Sequence, residues 1–242
     1  MITLIKFGPN FGLPDPSPFV LKLETYLRMA QIEFETRRGD VRKTPKGKLP
    51  CLDIDGEVIG DSEIAIHRLK KMFGDPLNDG LSQKEKAEAH MLRIALENHT
   101  YFTAIIYRWL RDENSPKIFD AFFSRLGLKG KVIFKLVQRD FRRTIPGQGL
   151  LRHSKAELDE MIRADVEAME VLLGERDYFG GTTPREIDAT TFAFVASMIV
   201  PNFTGPLSEI GRNSASLVAY NNRMTEKFYP DYKETMIYSS SP

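Results

Sequence analysis

Two short stretches of the chain carry residue types that can bind a small charged peptide. In the first, Lys48, Leu49 and Pro50 precede an apolar run, and the proline favours an extended edge with a cis Leu49–Pro50 bond. Unpaired N–H and C=O groups of such an edge can pair with the backbone of a bound peptide. In the second, Asp61 and Ser62 open a predicted helix, where a carboxylate and a hydroxyl can hold an ammonium and a carboxylate group. The two stretches together predict a clamp for a small charged peptide.

Each of these residues also has an ordinary structural use. Prolines often precede strands, Asp and Ser are common helix caps, and an exposed lysine is usually solvated. We favour ligand binding for Leu49, Pro50, Asp61 and Ser62 because they occur together within about 20 residues, as peptide recognition requires. Lys48 stands beside Leu49, where it could meet a terminal carboxylate of the peptide.

Ser17 is the strongest candidate for chemistry because, with Pro18, it starts a predicted helix after a loop. The N–H groups and the dipole of a helix N-terminus favour a nearby anion. A hydroxyl there can stabilise a thiolate, which is the nucleophilic form of a thiol. The alternative is that Ser17 only caps the helix. Both hold if the serine oxygen serves the cap while its proton faces the ligand.

Other reactive residue types give weaker signals. Cys51 falls inside a predicted strand and is expected to be a small buried residue, and the four histidines are scattered, so no metal site is predicted. The basic run 139–143 is expected to be a solvated helix face. Tyr101, Tyr107 and Trp109 could line an apolar cleft facing Ser17, although core packing is the more common use of each.

The first 75 residues must position these groups, and they alternate strand and helix signals. Their order is typical of a thioredoxin-like α/β domain, and the turn at Asp55-Gly56 is a strong hairpin signal. The predicted elements are a strand at 3–7, a breaker-rich loop at 8–16, an amphipathic helix at 17–30, a strand at 32–36, a hairpin at 51–59 and a helix at 62–73.

Residues 74–80 are rich in turn formers and predict the linker between domain 1–75 and a second domain, 81–242. Almost every later signal is helical, so the second domain is predicted to be all-α. Capping boxes are expected at 82–85, 154–157 and 183–186. The first heads a long helix with Met91 and Phe102 on one face, and the second heads a helix with Leu158, Ile162 and Val166 inward. The last heads an apolar helix at 189–200 that is expected to be central in its domain. The tail 238–242 is expected to be disordered.

Composition limits the class of protein. A net charge of +1 gives no reason to expect nucleic acid or an anionic membrane as a partner. One cysteine excludes an internal disulfide, and the chain has neither 18 uninterrupted apolar residues nor a signal-peptide layout at its start. We therefore expect a cytoplasmic protein without membrane insertion.

Taken with the two-domain order, these motifs resemble those of glutathione transferases over essentially the whole chain. Within that superfamily, residues 17–29, 147–154 and 179–188 are similar to the metaxin and failed-axon-connections (Fax) branch. That branch often has a cysteine where this chain has Val20, and a Ser or Thr where it has Arg185. The 183–186 box could substitute for the missing cap before Asp188.

The resemblance implies roles for individual residues. Ser17 stands where serine-type transferases keep the hydroxyl that activates the thiol. Leu49 and Pro50 would bind the cysteinyl backbone of glutathione, Asp61 and Ser62 its γ-glutamyl end, and Lys48 its glycine carboxylate.

The implied function is glutathione-dependent conjugation or conversion of an apolar small-molecule electrophile, with glutathione as co-substrate and a homodimer as the working unit. The alternative is a non-catalytic binding or scaffold protein of the metaxin type, since fold alone does not establish activity.

Overall fold

The computed structural model describes residues 1–239 and has one four-stranded sheet of order β2-β1-β3-β4. β1 pairs in parallel with β2 and antiparallel with β3, which pairs antiparallel with β4. With one helix after β1 and another after β4, this is the predicted thioredoxin-like arrangement. The elements are β1 (Ile2–Lys6), α1 (Pro18–Met29), β2 (Glu35–Arg38), β3 (Cys51–Ile54), β4 (Glu57–Gly60) and α2 (Ser62–Phe73).

The β3–β4 hairpin turns at the predicted Asp55-Gly56 pair. Both residues have positive φ, +51° and +95°, as the tight turn that matches strand twist requires. β2 begins at Glu35, three residues later than predicted, because the chain after α1 first folds back on the helix. The Ile32 N–H donates to the Leu27 carbonyl at 3.0 Å, which closes the end of α1 before the strand can start.

α1 is buried on nearly all sides, whereas the sequence predicts a helix with one polar face. It packs against α2 on one side and against a later central helix on the other. Even Lys22 and Glu24 are 1% exposed. Buried charges need partners, because desolvation strongly disfavours an unpaired ion.

The rest of the chain is helical, as predicted. Its helices are α3 (Gln83–Ala95), α4 (Tyr101–Ile105), α5 (Ser115–Phe122), α6 (Gly127–Gln148), α7 (Lys155–Leu173), α8 (Glu186–Ile199), α9 (Pro206–Asn213), α10 (Ala215–Phe228) and α11 (Lys233–Met236). The predicted capping boxes at Ser82 and Ser154 both form. Leu158, Ile162 and Val166 of α7 are buried as predicted.

The long helix that begins at α3 is less regular than the sequence predicts. π-helical turns at Leu96–Thr100 and Ile106–Leu110 flank α4. Each π turn rotates the helix face relative to a regular α-helix. Met91, predicted to lie on the same face as Phe102, is instead 64% exposed.

α8 is the predicted central apolar helix, but its start differs from the prediction. The expected 183–186 box does not form: α8 begins at Glu186, and the Asp188 carboxylate accepts the Arg185 N–H at 2.8 Å. Because the backbone N–H of Arg185 donates to Asp188, this contact at the start of α8 forms without a Ser or Thr side chain at position 185.

The predicted disorder of the tail is wrong at Tyr238. Its N–H donates to the Asn222 side chain at 2.9 Å, and its carbonyl accepts from the same side chain at 2.8 Å. Residues 240–242 lie outside the described part. Among the helices of residues 1–239, none combines the length and apolar character needed to cross a bilayer.

Candidate functional site

Strand register brings the predicted ligand-binding residues to one edge of the sheet. Ile5 near the end of β1 pairs with Cys51 at the start of β3, and Cys51 pairs with Gly60 at the end of β4. The Leu49–Pro50 pair directly precedes β3, and Asp61 directly follows β4. Because paired strand residues lie about 5 Å apart, these segments are neighbours at the edge where β1 ends.

The Leu49–Pro50 peptide bond is cis, as the sequence predicts. Leu49 is 6% exposed, and its side chain fills the space beside Gly39, where a Cβ would lie 2.9 Å from a Leu49 methyl group. The N–H and C=O of Leu49 form none of the turn, loop or cap hydrogen bonds between backbone groups of residues 1–239. The side chain is thus fixed in the core, while the backbone remains available to a ligand.

Asp61 caps a helix with one carboxylate oxygen, and its other carboxylate oxygen is free to bind a ligand. Its Oδ1 accepts the Glu63 and Ile64 N–H groups at 2.9 and 3.2 Å, so it caps α2. The side chain is exposed, and within residues 1–239 its Oδ2 makes no hydrogen bond. The residue has φ +95°, which is unusual for a non-glycine residue. Ser62 is 4% exposed and starts α2. A ligand ammonium can reach Asp61 without displacing the cap.

Ser17 is the N-cap of α1, as predicted, and its Oγ accepts the Val20 N–H at a long 3.5 Å. A hydroxyl that accepts a hydrogen bond keeps its own proton free to donate. Ser17 is half-buried. The geometry therefore permits both predicted uses of this residue, as a cap and as a donor to an anion.

Asp15, which the sequence interpretation missed, fixes Ser17 relative to the sheet. Its Oδ2 accepts the Phe7 and Gly8 N–H groups at 2.8 and 2.9 Å, and its Oδ1 accepts the Ser17 N–H at 3.0 Å. One side chain therefore connects the end of β1 to the start of α1. The only local signal was an Asp two residues before a Ser, the spacing of an Asx turn.

Asp15 is also electrostatically unusual, because it is fully buried. Burial raises its pKa from 3.8 to about 7, although its three backbone donors and the Lys6 ammonium act in the opposite direction. Lys6 itself forms a buried ion pair with Glu24, at 2.6 Å.

Cations line the same edge. Lys48 is exposed, and no ion pair involves it within residues 1–239. Lys46 also reaches the edge, since a Cβ on Gly60 would lie 3.6 Å from its Cγ. The guanidinium of Arg38 lies across Gly8, 2.9 Å from where a Cβ would stand. Lys46 and Arg38 were not predicted, because loop and strand ends give no local sign of which residues they approach.

Of the three predicted cleft aromatics, Tyr101 contacts the first turn of α1, which follows Ser17. Its ring centroid is 4.8 Å from that of Phe19, which also contacts Phe194 at 6.2 Å. Tyr107 instead donates to the Asp159 carboxylate, and the Trp109 ring packs among phenylalanines. Phe19, Tyr101 and Phe194 therefore form an apolar wall that connects the first turn of α1 to α4 and α8.

Buried ion pairs fix α1 between the two parts of the molecule. The Lys22 ammonium lies 2.6 Å from the Glu63 carboxylate of α2 and 2.7 Å from that of Glu97 in the helical part. Near the other end of α1, Arg28 binds Asp231 at 2.8 Å, but this pair lies at the surface, with Asp231 half-exposed. Removing one partner of the buried Lys22 pairs is costly because the other charge remains desolvated.

Cys51 is buried, as predicted, and burial raises the pKa of its thiol.

A groove of about 630 Å³ lies elsewhere, lined by Ile2, Ile54 and Phe73 among others. Ile2 pairs with Ile54 at the end of the sheet opposite to the Ile5–Cys51 pair. This groove is therefore separate from the edge that carries Leu49, Asp61 and Ser17.

A mixed four-stranded sheet with a cis-proline before β3, joined to a helical part, defines a thioredoxin-fold protein with a helical extension. Comparison with known families agrees: residues 18–114 match the glutathione S-transferase N-terminal domain, and residues 162–224 match the glutathione S-transferase C-terminal domain. The first match begins one residue after Ser17.

Relatives support the same assignment. The chain is 33% identical to the isoprene-epoxide–glutathione S-transferase of Rhodococcus sp. over 80% of this chain and 84% of that protein. It is 26% identical to Failed axon connections of Drosophila melanogaster over 97% of this chain, which spans 59% of that protein. It is 24% identical to human metaxin-2 over 87% of this chain and 82% of that protein.

Among solved structures, a glutathione S-transferase from Methylobacterium radiotolerans in complex with glutathione sulfonate superposes with a TM-score of 0.61. It shares 16% sequence identity, and the match covers 100% of this chain and 97% of that chain. The chain belongs to the glutathione S-transferase family, and its relatives include Fax and metaxin-2.

Proposed function

We propose that this protein binds glutathione and conjugates it to an apolar electrophile. The observation that carries the proposal is the convergence, at one edge of the sheet, of Ser17, the free backbone groups of Leu49 and the free oxygen of Asp61. In this proposal Leu49 and Pro50 bind the cysteinyl backbone of glutathione. Asp61 and Ser62 bind its γ-glutamyl end.

The glycine carboxylate of glutathione is assigned to Lys48, and Lys46 is a second cation at the same edge. Either ammonium can pair with a carboxylate, and an exposed pair contributes about 1 kcal/mol or less. Affinity for glutathione should therefore depend mainly on the Leu49 backbone and on Asp61.

Ser17 is the proposed catalytic residue. Its oxygen serves the cap weakly at 3.5 Å, so its O–H proton is available to the sulfur of glutathione. The hydrogen bond and the α1 N-terminus would stabilise the thiolate and lower the pKa of the thiol. The Asp15 carboxylate fixes the Ser17 backbone and so acts as a positioning group.

An epoxide is the proposed class of electrophile, because the relative with 33% identity is named for isoprene epoxide. The thiolate sulfur attacks a ring carbon, a C–S bond forms, the C–O bond breaks, and the alkoxide takes a proton from water. The apolar wall of Phe19, Tyr101 and Phe194 lies beside Ser17 and suits a small apolar substrate.

A second candidate is a non-catalytic binding or scaffold protein. Two observations favour it: Ser17 already serves as a helix cap, and the relatives include Fax and metaxin-2. In that case the sheet edge would bind glutathione, or another small peptide, without turnover.

Two measurements separate the candidates: glutathione titration by calorimetry, and conjugation of a small epoxide and of a model aryl halide. Binding with turnover supports the transferase, and binding without turnover supports the scaffold. Asp61→Asn is the sharpest variant, because asparagine caps helices as well as aspartate but lacks the charge. Glutathione affinity should fall by about 10-fold or more, as expected when a charged hydrogen bond is lost.

Asp53→Asn, in the hairpin, is the matched control and should leave glutathione affinity unchanged. Failure to bind glutathione at millimolar concentration would contradict the proposed function.

We further propose that the protein works as a cytoplasmic homodimer with domains 1–75 and 81–242. Sedimentation that finds only a 27.6 kDa species at micromolar concentration would contradict the dimer.

A further inference from the structure

Positive charge is concentrated in one part of the chain. The whole protein has 34 basic and 33 acidic residues. Residues 124–148 contain seven of the Lys and Arg residues but only one acidic residue, an Asp. The segment therefore carries +6 and the remaining chain −5. The near-neutral total of +1 conceals this separation, of which the sequence analysis noted only the run 139–143, expected to be a solvated helix face.

The segment consists of α6 and the turn before it, Ser124–Leu126. One face of α6 is fixed to the protein: Phe134 and Ile145 are buried, and the Phe134 ring packs against Trp109 and Phe119. Gln138 adds a hydrogen bond to the Trp109 carbonyl at 2.7 Å. α6 is therefore packed against the protein along one face, and its opposite face is exposed.

That outer face is apolar along its first turns. Leu128, Val132 and Leu136, four residues apart, are 79%, 60% and 57% exposed, and Leu126 in the preceding turn is 52% exposed. Side chains four apart lie on the same helix face. An exposed aliphatic row of this kind is uncommon on the surface of a monomer and marks an interaction site.

Basic side chains border this row. Lys131 and Lys135 flank it, and Arg139 and Arg143 continue the same face toward the end of the helix. Within residues 1–239, only Arg143 of these four side chains forms an ion pair, an exposed contact with Asp140 at 3.6 Å. Their long stems can lie along an apolar surface while the charges reach a polar layer above it.

We propose that the outer face of α6 binds the surface of an anionic lipid bilayer. Leu128, Val132 and Leu136 would enter the boundary between head groups and acyl chains. The Lys and Arg side chains would meet lipid phosphates and carboxylates. An amphipathic helix with aliphatic residues bordered by Lys and Arg has the chemistry of interfacial binding. The helix would lie in the plane of the membrane.

Two other occupants fit less well. A second copy of this chain, paired through the same face about a two-fold axis, would oppose +6 with +6. RNA would satisfy the charge, but the centre of the face is aliphatic and offers neither aromatic stacking nor hydrogen bonds to bases. A bilayer satisfies both the apolar row and the cations.

The test uses the full protein and co-sedimentation with vesicles of phosphatidylcholine, with and without 30% phosphatidylserine, in 0.1 M salt. We expect binding to the anionic vesicles only, weakening as salt rises. Each Lys or Arg near such a surface contributes about 1 kcal/mol. Lys131→Gln/Lys135→Gln/Arg139→Gln should therefore weaken binding by about 100-fold.

Leu128→Ser/Leu136→Ser should weaken vesicle binding by about 10-fold or more, because two aliphatic side chains no longer enter the bilayer. Matched controls carry the same changes at exposed sites on other helices: Lys71→Gln/Lys84→Gln/Lys86→Gln, and Met91→Ser/Val171→Ser. Neither control should change binding. All replaced residues are exposed, and unchanged circular dichroism and melting temperature would show that each variant is folded.

Equal effects of the α6 variants and their controls would overturn the proposal, as would failure to bind anionic vesicles. Tighter binding to a 20-nucleotide RNA than to these vesicles at the same salt would also overturn it. So would a dimer that Leu128→Ser/Leu136→Ser dissociates. Glutathione affinity is measured on the same variants and should be unchanged, so this inference and the proposed function can fail separately.

Discussion

Each half of the molecule contains one fully buried aspartate that holds a loop against the start of a helix. Asp15 accepts N–H groups from Phe7, Gly8 and Ser17 and connects the end of β1 to α1. Asp188, within the first turn of α8, performs the same task in the helical half. Its carboxylate accepts the N–H groups of Phe179, Gly180 and Arg185 at 2.7 to 3.0 Å.

The two sites differ in what they position. Asp188 also accepts the Tyr220 hydroxyl at 3.0 Å, and the loop it holds closes over buried core. Asp15 holds Ser17, which caps α1 and remains half-buried at the sheet edge. The same arrangement of donors around a carboxylate thus serves folding alone in one half. In the other half it serves folding and the candidate site.

The largest expected effect is that of Asp188→Asn. The amide replaces one acceptor oxygen with a donor, so several buried donors lose their partner, each at a cost of about 1–3 kcal/mol. We expect the free energy of unfolding in urea to fall by about 4 kcal/mol. Tyr220→Phe, which removes one donor, should cost about 1 kcal/mol.

Glutathione affinity of the folded Asp188→Asn protein should be unchanged. Glu186 at the start of α8 pairs with Lys70 near the end of α2, about 14 Å along that helix from Asp61. Lower affinity in this variant would mean that the two aspartates are not separate in function.

Asp15→Asn should cost less stability, about 2–3 kcal/mol, because only three donors are affected. Unlike Asp188→Asn, it should also reduce turnover per folded molecule, since Ser17 is no longer fixed to the end of β1. The measurement is a urea titration together with the conjugation assay on the same sample. Unchanged turnover would show that Asp15 is a structural residue only.

The pH dependence of stability gives a smaller effect with a definite sign. Burial raises the pKa of Asp15 from 3.8 to about 7, so between these values the folded protein binds the proton and the unfolded chain does not. Stability from this group is complete below about pH 4 and decreases as pH rises to about 7, by at most roughly 1.4 kcal/mol per pH unit.

Unfolding free energies measured from pH 4 to 8 would test this sign. The difference between the wild-type protein and Asp15→Asn should decrease with rising pH, because only the wild-type protein has this titration. A difference that grows with pH would mean that the three N–H donors outweigh burial and keep the carboxylate ionised.

Local sequence signals were sufficient for the features that depend on neighbouring residues. Ser17-Pro18 predicts the start of α1, Asp55-Gly56 predicts the hairpin turn, and Pro50 before a strand predicts the cis bond. In each case the residue itself restricts the backbone. The whole-chain resemblance supplied the family.

Features that depend on distant partners could not be predicted. Lys22 is buried because Glu63 and Glu97, 41 and 75 residues later, pair with it. Asp15 binds N–H groups seven and eight residues earlier, and nothing local distinguishes it from any other loop aspartate. The start of α8 was misplaced because the 183–186 box resembles a cap, while the real acceptor, Asp188, lies inside the helix.

The central claim is that the Ser17 hydroxyl stabilises the glutathione thiolate, and Ser17→Ala tests it most directly. We expect glutathione affinity to stay nearly intact and turnover at neutral pH to fall by roughly 10–100-fold, with a smaller loss at higher pH where the thiol ionises unaided. Loss of the cap should also cost about 1 kcal/mol of stability.

Ser154→Ala, which removes an exposed helix cap in the other half, is the matched control. It should cost similar stability without changing turnover. Turnover and the free energy of unfolding are measured on both variants. A Ser17→Ala protein that loses stability but keeps its neutral-pH turnover per folded molecule would contradict the catalytic assignment and leave Ser17 as a cap.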